Sequence, residues 1–149
     1  MRMRTTTIGI LGVSAIALAG CGSSETFANH PRPPAPINLT VYINNARVSV
    51  SPQAVGAGPV VFIVTNQAAR AETLAIGRKG GSGAIANTGP INPQGTAQVT
   101  VSLGRGVYTV ATTATGTTEA ARAAASPIHS ATLHIGRPRP SASDQLLQP

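Results

Sequence analysis

The chain has 149 residues and a formal net charge of +7, a length suited to one domain. Charged residues make up 10% and aromatic residues 3%, while 16 Gly and 12 Pro without a collagen period argue against a helical bundle. The single cysteine excludes an internal disulfide framework and any zinc or iron–sulfur site built from several cysteines.

The N-terminus has the pattern of an export signal. Arg2 and Arg4 precede residues 8–20, which are apolar and carry no charge. Crossing a bilayer as a helix takes about 20 residues at about 1.5 Å each, so this run is too short for a stable anchor. We therefore predict a secretory signal peptide. Because Met3 separates the two arginines, no twin-arginine signal is predicted.

The sequence Leu18-Ala19-Gly20-Cys21 resembles a bacterial lipobox. In such a motif, small residues precede a cysteine that is acylated on its thiol and becomes the mature N-terminus. The resemblance implies cleavage between Gly20 and Cys21, with lipid on Cys21 holding the protein on the extracytoplasmic face of the cell membrane. The alternative is an ordinary signal peptide with a chance cysteine.

Composition divides the chain into four segments. Residues 1–20 are predicted as the lipoprotein signal peptide, and residues 21–36 as a flexible, Pro-rich, lipid-anchored tether. Residues 37–135 have the texture of strands and form the predicted domain. Residues 136–149 are a Pro- and Ser-rich C-terminal tail.

Alternation of apolar and polar residues predicts short strands in the domain. Seven are expected, at residues 37–43, 47–51, 60–65, 73–76, 98–103, 107–112 and 131–135. Asn44-Asn45 is a turn signal, residues 57–59 break the chain, and residues 103–106 look like a hairpin turn. Two long loops, 77–95 and 113–127, interrupt the pattern, and helical turns are expected at 117–125. The class predicted is all-β, a seven- or eight-stranded Greek-key sandwich.

Two stretches, residues 50–66 and 91–110, together resemble a cupredoxin-like domain. The features that match are Gly58-Pro59 before an apolar strand that ends at Asn66, and later Gly106 with Tyr108. The resemblance extends over residues 37–135 and implies a sandwich with metal-binding loops at one end. Tyr108 would equally suit the tyrosine corner of an immunoglobulin-like sandwich.

The resemblance also shows which copper ligands are missing. The family's first His position falls near Glu72, its Cys position at Thr112 and its Met position near His129. The stretch 113–127, where the second His would lie, contains none. Blue copper needs a cysteine thiolate with two histidines. The resemblance therefore implies a copper-free relative, and no cofactor is expected.

A non-blue metal site around His129, with Glu72 or His30, remains as an alternative. These residues supply too few ligands for a typical site, since zinc and copper usually take three or four protein ligands. His134 lies an odd number of residues from His129, so on one strand the two side chains would face opposite sides. We expect His134 to point to solvent.

Catalysis finds little support in the residue types. The acids are Glu25, Glu72, Glu119 and Asp144, with nothing to bring two of them together, and G-x-S-x-G is absent. Nucleic acid is not expected as a partner, because the chain is predicted outside the cytoplasm and lacks aromatic stacking platforms.

Arg78 and Lys79 lie in a basic, Gly-rich stretch that lacks the phosphate-loop pattern. This stretch is a candidate loop for binding an envelope protein, an anionic cell-wall polymer or lipid headgroups, and the alternative is a flexible exposed hairpin. The function predicted is a membrane-anchored, non-catalytic binding or scaffolding module with a degenerate cupredoxin-like domain. The alternative function is a metal-binding or metal-delivery lipoprotein that uses His129. The surface expected to matter is the end of the sandwich carrying loops 77–95 and 113–127.

Overall fold

Eight β-strands make up the structure, a computed structural model that describes residues 32–115 and 127–141. In chain order they are β1 (Ile37–Ile43), β2 (Val48–Ser51), β3 (Ala54–Asn66), β4 (Glu72–Arg78), β5 (Ala84–Asn87), β6 (Thr96–Leu103), β7 (Gly106–Ala114) and β8 (Ala131–Pro138). The predicted all-β class with seven or eight strands is confirmed. Within the described ranges no helix is long and apolar enough to cross a membrane.

The strands form two layers that share β3. One layer has the order β2-β1-β3-β6, and the other has the order β3-β8-β7-β4-β5. β3 runs parallel to both β1 and β8, whereas the remaining pairings are antiparallel. Neighbours such as β3 and β6 are far apart in the chain, so connections pass between the layers as in a Greek-key sandwich.

β3 moves from one layer to the other at its glycines. Ala54 and Val55 pair with β8, whereas the strand pairs with β6 from Gly58 onward. Gly58 has a φ of 134°, a conformation that only glycine adopts readily. The sequence therefore locates the bend correctly at 57–59. It places the strand's start too late, because pairing with β8 extends the strand back to Ala54.

The core is built from the alternating side chains that the sequence singles out. Leu39, Val41 and Ile43 of β1 are fully buried, and so are Phe62 and Val64 of β3. Each such side chain contributes about 1.5–3 kcal/mol by leaving water. From the opposite layer they meet Leu74, Ile76, Val110, Leu133 and Ile135.

Two local predictions need correction. β5 lies within the stretch predicted as a loop and pairs with β4; its exposed, alanine-rich sequence has no clean alternation. The turn at 103–106 does not make a hairpin, because β6 pairs with β3 while β7 pairs with β4 and β8. The helical turns predicted at 117–125 lie outside the described residues.

Candidate functional site

Strand pairing defines two ends of the sandwich. The Asn66 end carries the stretches 44–47, 67–71, 88–95 and 127–130, and the Arg139 end carries 32–36, 78–83, 103–106 and 139–141. The two loops expected to share one end therefore do so only in part. β7 leads into loop 113–127 at the Asn66 end, whereas β4 runs the opposite way and turns after Arg78. Only the later part of loop 77–95 returns to the Asn66 end.

Asn66 holds the loops of its end together. Its side chain is fully buried, and Nδ2 donates to the carbonyl oxygens of Arg70 at 2.9 Å and of Ile91 at 2.8 Å. Its Oδ1 accepts from the backbone N–H of Ala68 at 2.9 Å. All the polar atoms of the amide group thus have partners, so two loops far apart in sequence are fixed to the end of β3.

Glu72 is closed off from solvent and already has a partner. The residue is 1% exposed, and its Oε1 accepts a hydrogen bond from Nε of Arg70 at 3.0 Å. Its backbone also pairs with Ile91 in both directions. The resemblance places a metal-binding histidine near this position, and here the space contains an internal ion pair. Arg70 lies in the bend that precedes β4, two residues before Glu72, and this bend brings the two side chains together.

His129 lies on the surface, just before β8. Its backbone bonds to Ala46 and Val48 and so joins the start of β2 to that of β8, while the residue itself is exposed. Thr112, at the family's cysteine position, has an Oγ1 that is buried without a hydrogen-bond partner among the described residues. Across residues 32–115 and 127–141, no group of three His, Cys, Asp or Glu side chains comes together.

The other predicted residues fall in different places. His134 on β8 is exposed, as predicted, while Ala131, Leu133 and Ile135 are buried. Gly20, Cys21 and His30 lie outside the described residues, as do most of loop 113–127 and the predicted tether.

Tyr108 marks the opposite end. It is 1% exposed, and its hydroxyl donates to the carbonyl oxygen of Gly104 at 2.8 Å, which is the bond of a tyrosine corner. The guanidinium carbon of Arg78 lies 5.5 Å from the centre of the Tyr108 ring, a cation–π distance. The candidate pair Arg78 and Lys79 is therefore at the Arg139 end, with both residues exposed and with the Lys79 N–H bonded to the carbonyl oxygen of Val107.

Arg139 is a structural residue that sequence reasoning did not identify. Its guanidinium donates to the carbonyl oxygens of Ala35, Ala57 and Pro59, so it joins the chain before β1 to the bend of β3. Its side chain covers Gly56, where a Cβ would lie 2.6 Å from Arg139 Cγ. No local pattern marks this residue, because its partners are backbone atoms distant in the chain.

A groove of about 600 Å³ opens on the second layer beside these residues. Its surface includes the small residues Ala54, Gly56 and Gly136, together with the cations Arg105 and Arg137 and the imidazole of His134. Because the residues at the bottom of the groove are small, the backbone there is accessible, and the positive side chains lie around it. Its chemistry suits an anion.

Comparison with known proteins finds similarity only among solved structures, at 13–15% sequence identity for the three described below. No protein-family model matches the chain, and no curated protein is significantly similar to it in sequence. A reduced auracyanin from Roseiflexus castenholzii is similar in structure with a TM-score of 0.44 and 13% identity, over 68% of this chain and 96% of that one. Auracyanin A, a blue copper protein from Chloroflexus aurantiacus, gives 0.43 and 15%, over 66% and 99%.

A multicopper oxidase gives a TM-score of 0.42 and 15% identity, over 74% of this chain and 46% of that one. All three similarities are at low sequence identity.

Proposed function

We propose that this chain is a membrane-anchored extracytoplasmic lipoprotein whose sandwich is a non-catalytic binding module. Lipid on Cys21 would hold it to the membrane, as the charged start, the short apolar run and Leu18-Ala19-Gly20-Cys21 favour. The observation that carries the proposal of a module without a metal is the ion pair of Glu72 with Arg70. Glu72 lies near a position where the resemblance to cupredoxins implies a metal ligand.

The Asn66 end is the proposed binding surface. Its exposed residues Gln67, Ala69, Asn92 and Gln94 lie on loops that the buried Asn66 holds in place. Gln94 has a φ of 63°, a left-handed conformation that costs energy and is kept by its backbone bond to Asn66. A surface fixed in advance loses little entropy when it binds a partner, which favours recognition.

The anchor is tested with Cys21→Ala expressed in a bacterial envelope. We expect the variant to lose labelling by radioactive palmitate and to leave the membrane fraction, whereas the matched variant Ser24→Ala keeps both. Labelling that persists in Cys21→Ala contradicts the anchor. A photo-cross-linker placed at Gln94, compared with one at the exposed strand residue Ile63, then tests the binding surface. Adducts with an envelope protein are expected from Gln94 alone.

The second candidate function, metal binding or delivery through His129, is tested by titrating the purified chain with Cu(II), Cu(I) and Zn(II). The exposed imidazole of His129 is the feature that would favour it. One-to-one binding tighter than micromolar that is lost in His129→Ala and kept in His134→Ala would replace the proposal with this alternative. Weak binding with equal effects of the two substitutions supports the non-metal module.

A further inference from the structure

Charge is distributed unevenly between the two ends. Residues 32–115 and 127–141 contain eight Lys and Arg side chains and one acid, Glu72. At the Asn66 end, Arg70 is neutralised by Glu72, which leaves Arg47. The remaining six cations belong to the Arg139 end, and they are Arg32, Arg78, Lys79, Arg105, Arg137 and Arg139. The described part of the molecule therefore has one positive pole.

Three of these cations, Arg78, Arg105 and Arg137, lie near Gly106 or on the groove that Gly106 lines. Arg78 Nη1 comes within 3.1 Å of the position that a Cβ on Gly106 would take, and Arg105 is the preceding residue. Arg105 and Arg137 lie on the same groove. Among the described residues no acid forms an ion pair with any of them. Lys79, Arg105 and Arg137 are exposed, so their charges can reach an external anion, whereas the Arg139 guanidinium is bonded to backbone carbonyl oxygens.

The chain enters the domain at this same pole. The carbonyl oxygen of Ala35 accepts a bond from Arg139, and that of Arg32 accepts one from Ser141 Oγ at 2.7 Å. Cys21 precedes Arg32 by eleven residues. At most about 3.6 Å per residue, the lipid-bearing residue lies within about 40 Å of Arg32. The positive pole is therefore the part of the described domain that is nearest to Cys21 along the chain, and it lies within reach of the bilayer.

We propose that the Arg139 end rests on the membrane and binds the phosphate headgroups of anionic lipids through Arg105, Arg137 and Lys79. The inference rests on the proposed anchoring at Cys21. Each basic residue near an anionic bilayer strengthens attachment about fivefold, and the attraction is screened within a Debye length. The sandwich then stands upright, with the Asn66 end facing away from the membrane and open to a partner.

Two single-cysteine probes test this orientation in the acylated full chain. Ser82→Cys places a fluorescent donor at the Arg139 end and Ala69→Cys places one at the Asn66 end; both positions are exposed. Strands of eight or nine residues at about 3.3 Å each separate the two ends by about 25–30 Å. Energy transfer to acceptor-labelled headgroups then reports which end lies lower on phosphatidylcholine vesicles made with or without phosphatidylglycerol.

We expect stronger transfer from Ser82→Cys than from Ala69→Cys on vesicles that contain phosphatidylglycerol. The difference should shrink in about 1 M salt, where the Debye length is about 3 Å. It should also shrink in Arg105→Gln/Arg137→Gln, because the loss of two basic residues weakens the attachment of the Arg139 end to the bilayer roughly 25-fold. The matched control Arg47→Glu removes the same two charge units at the other end and should keep the difference.

Equal transfer from the two positions on anionic vesicles, or stronger transfer from Ala69→Cys, overturns the orientation. Added inorganic phosphate should reduce this difference only as much as another salt of the same ionic strength does. A larger reduction by phosphate would mean that the groove binds free phosphate and not the lipid headgroups. If a soluble anionic cell-wall polymer abolishes the difference in energy transfer between the two positions, the Arg139 end binds that polymer and not the lipid headgroups.

The number of reactive thiols separates this inference from the proposed function. If Cys21 is acylated, each variant takes up one label, and the orientation is judged alone. If Cys21 is free, each takes up two labels, and both the anchoring and the orientation that depends on it are contradicted.

Discussion

The side-chain amide of Asn66 donates to the carbonyl oxygen of Ile91 at 2.8 Å and thereby joins the end of β3 to the loop before β6. The two residues are 25 positions apart in the chain. The bond lies in the buried part of the Asn66 end, beside the bond from the same amide to Arg70. The loops that we propose as a binding surface therefore depend on one side chain.

Replacing this side chain tests that dependence. Asn66→Ala leaves the carbonyl oxygen of Arg70 and the N–H of Ala68 without this partner, and it removes one of the two hydrogen bonds to the carbonyl oxygen of Ile91. Each buried polar group that loses its hydrogen bond costs about 1–3 kcal/mol. We therefore expect the free energy of unfolding, measured with urea, to fall by about 2–4 kcal/mol. Asn38→Ala, on the exposed face of β1, is the control and should change it by less than about 0.5 kcal/mol. An unchanged midpoint for Asn66→Ala contradicts this account.

The pair of Arg70 and Glu72 predicts an asymmetric response. Arg70→Met leaves a carboxylate with a side chain only 2% exposed without its cation, whereas Glu72→Gln leaves an arginine that is 31% exposed and can turn to water. We expect about 2–3 kcal/mol of destabilisation from the first change and less than about 1 kcal/mol from the second. Urea unfolding of both variants measures the difference. Equal losses would mean that water reaches Glu72 freely.

Removing one hydroxyl tests the tyrosine corner. Tyr108→Phe keeps the buried ring and deletes the bond to the carbonyl oxygen of Gly104, so a loss of about 1 kcal/mol in unfolding free energy is expected. Tyr42→Phe removes the same atom from an exposed ring that bonds to Gln67 at the surface, and should cost about 0.5 kcal/mol or less. Thermal and urea denaturation of the two variants provide the comparison. Equal losses of unfolding free energy in the two variants would mean that the bond from Tyr108 to Gly104 stabilises the fold no more than a surface hydrogen bond does.

The bend of β3 gives a prediction about glycine. In Gly58→Ala the new Cβ would lie 2.7 Å from Pro34 and 2.8 Å from Arg139, on a backbone with φ of 134°. Strain of about 1–3 kcal/mol is expected from the backbone alone, with the collision in addition. Gly104→Ala is the matched control, because nothing lies within 4 Å of its added Cβ. If both variants unfold at the same urea concentration, Gly58 is not required at the bend.

Sequence patterns predicted the strands well where alternate residues are buried, as in β1, because the period of two records which face meets the core. They missed β5, whose residues are exposed or half-buried and held by pairing with β4. The turn at 103–106 was misassigned because a local pattern cannot say whether the next strand joins the same layer. At the candidate site, the resemblance identified the position of Glu72, whereas its pairing with Arg70 depends on the bend that precedes β4.

Patterns along the chain therefore predicted the strands of the core and an export and lipidation signal ending at Cys21, which is the single cysteine of the sequence. Tertiary structure alone decided that Arg78 and Lys79 lie at the end opposite loop 113–127, and that Arg139 joins Ala35 to the bend of β3. The physical reason is that strand periodicity reflects burial over a few residues, whereas these relationships depend on hydrogen bonds between segments up to 104 residues apart. The six cations of the Arg139 end likewise come from four separate stretches of the sequence, and strand pairing brings those stretches to one end of the sandwich.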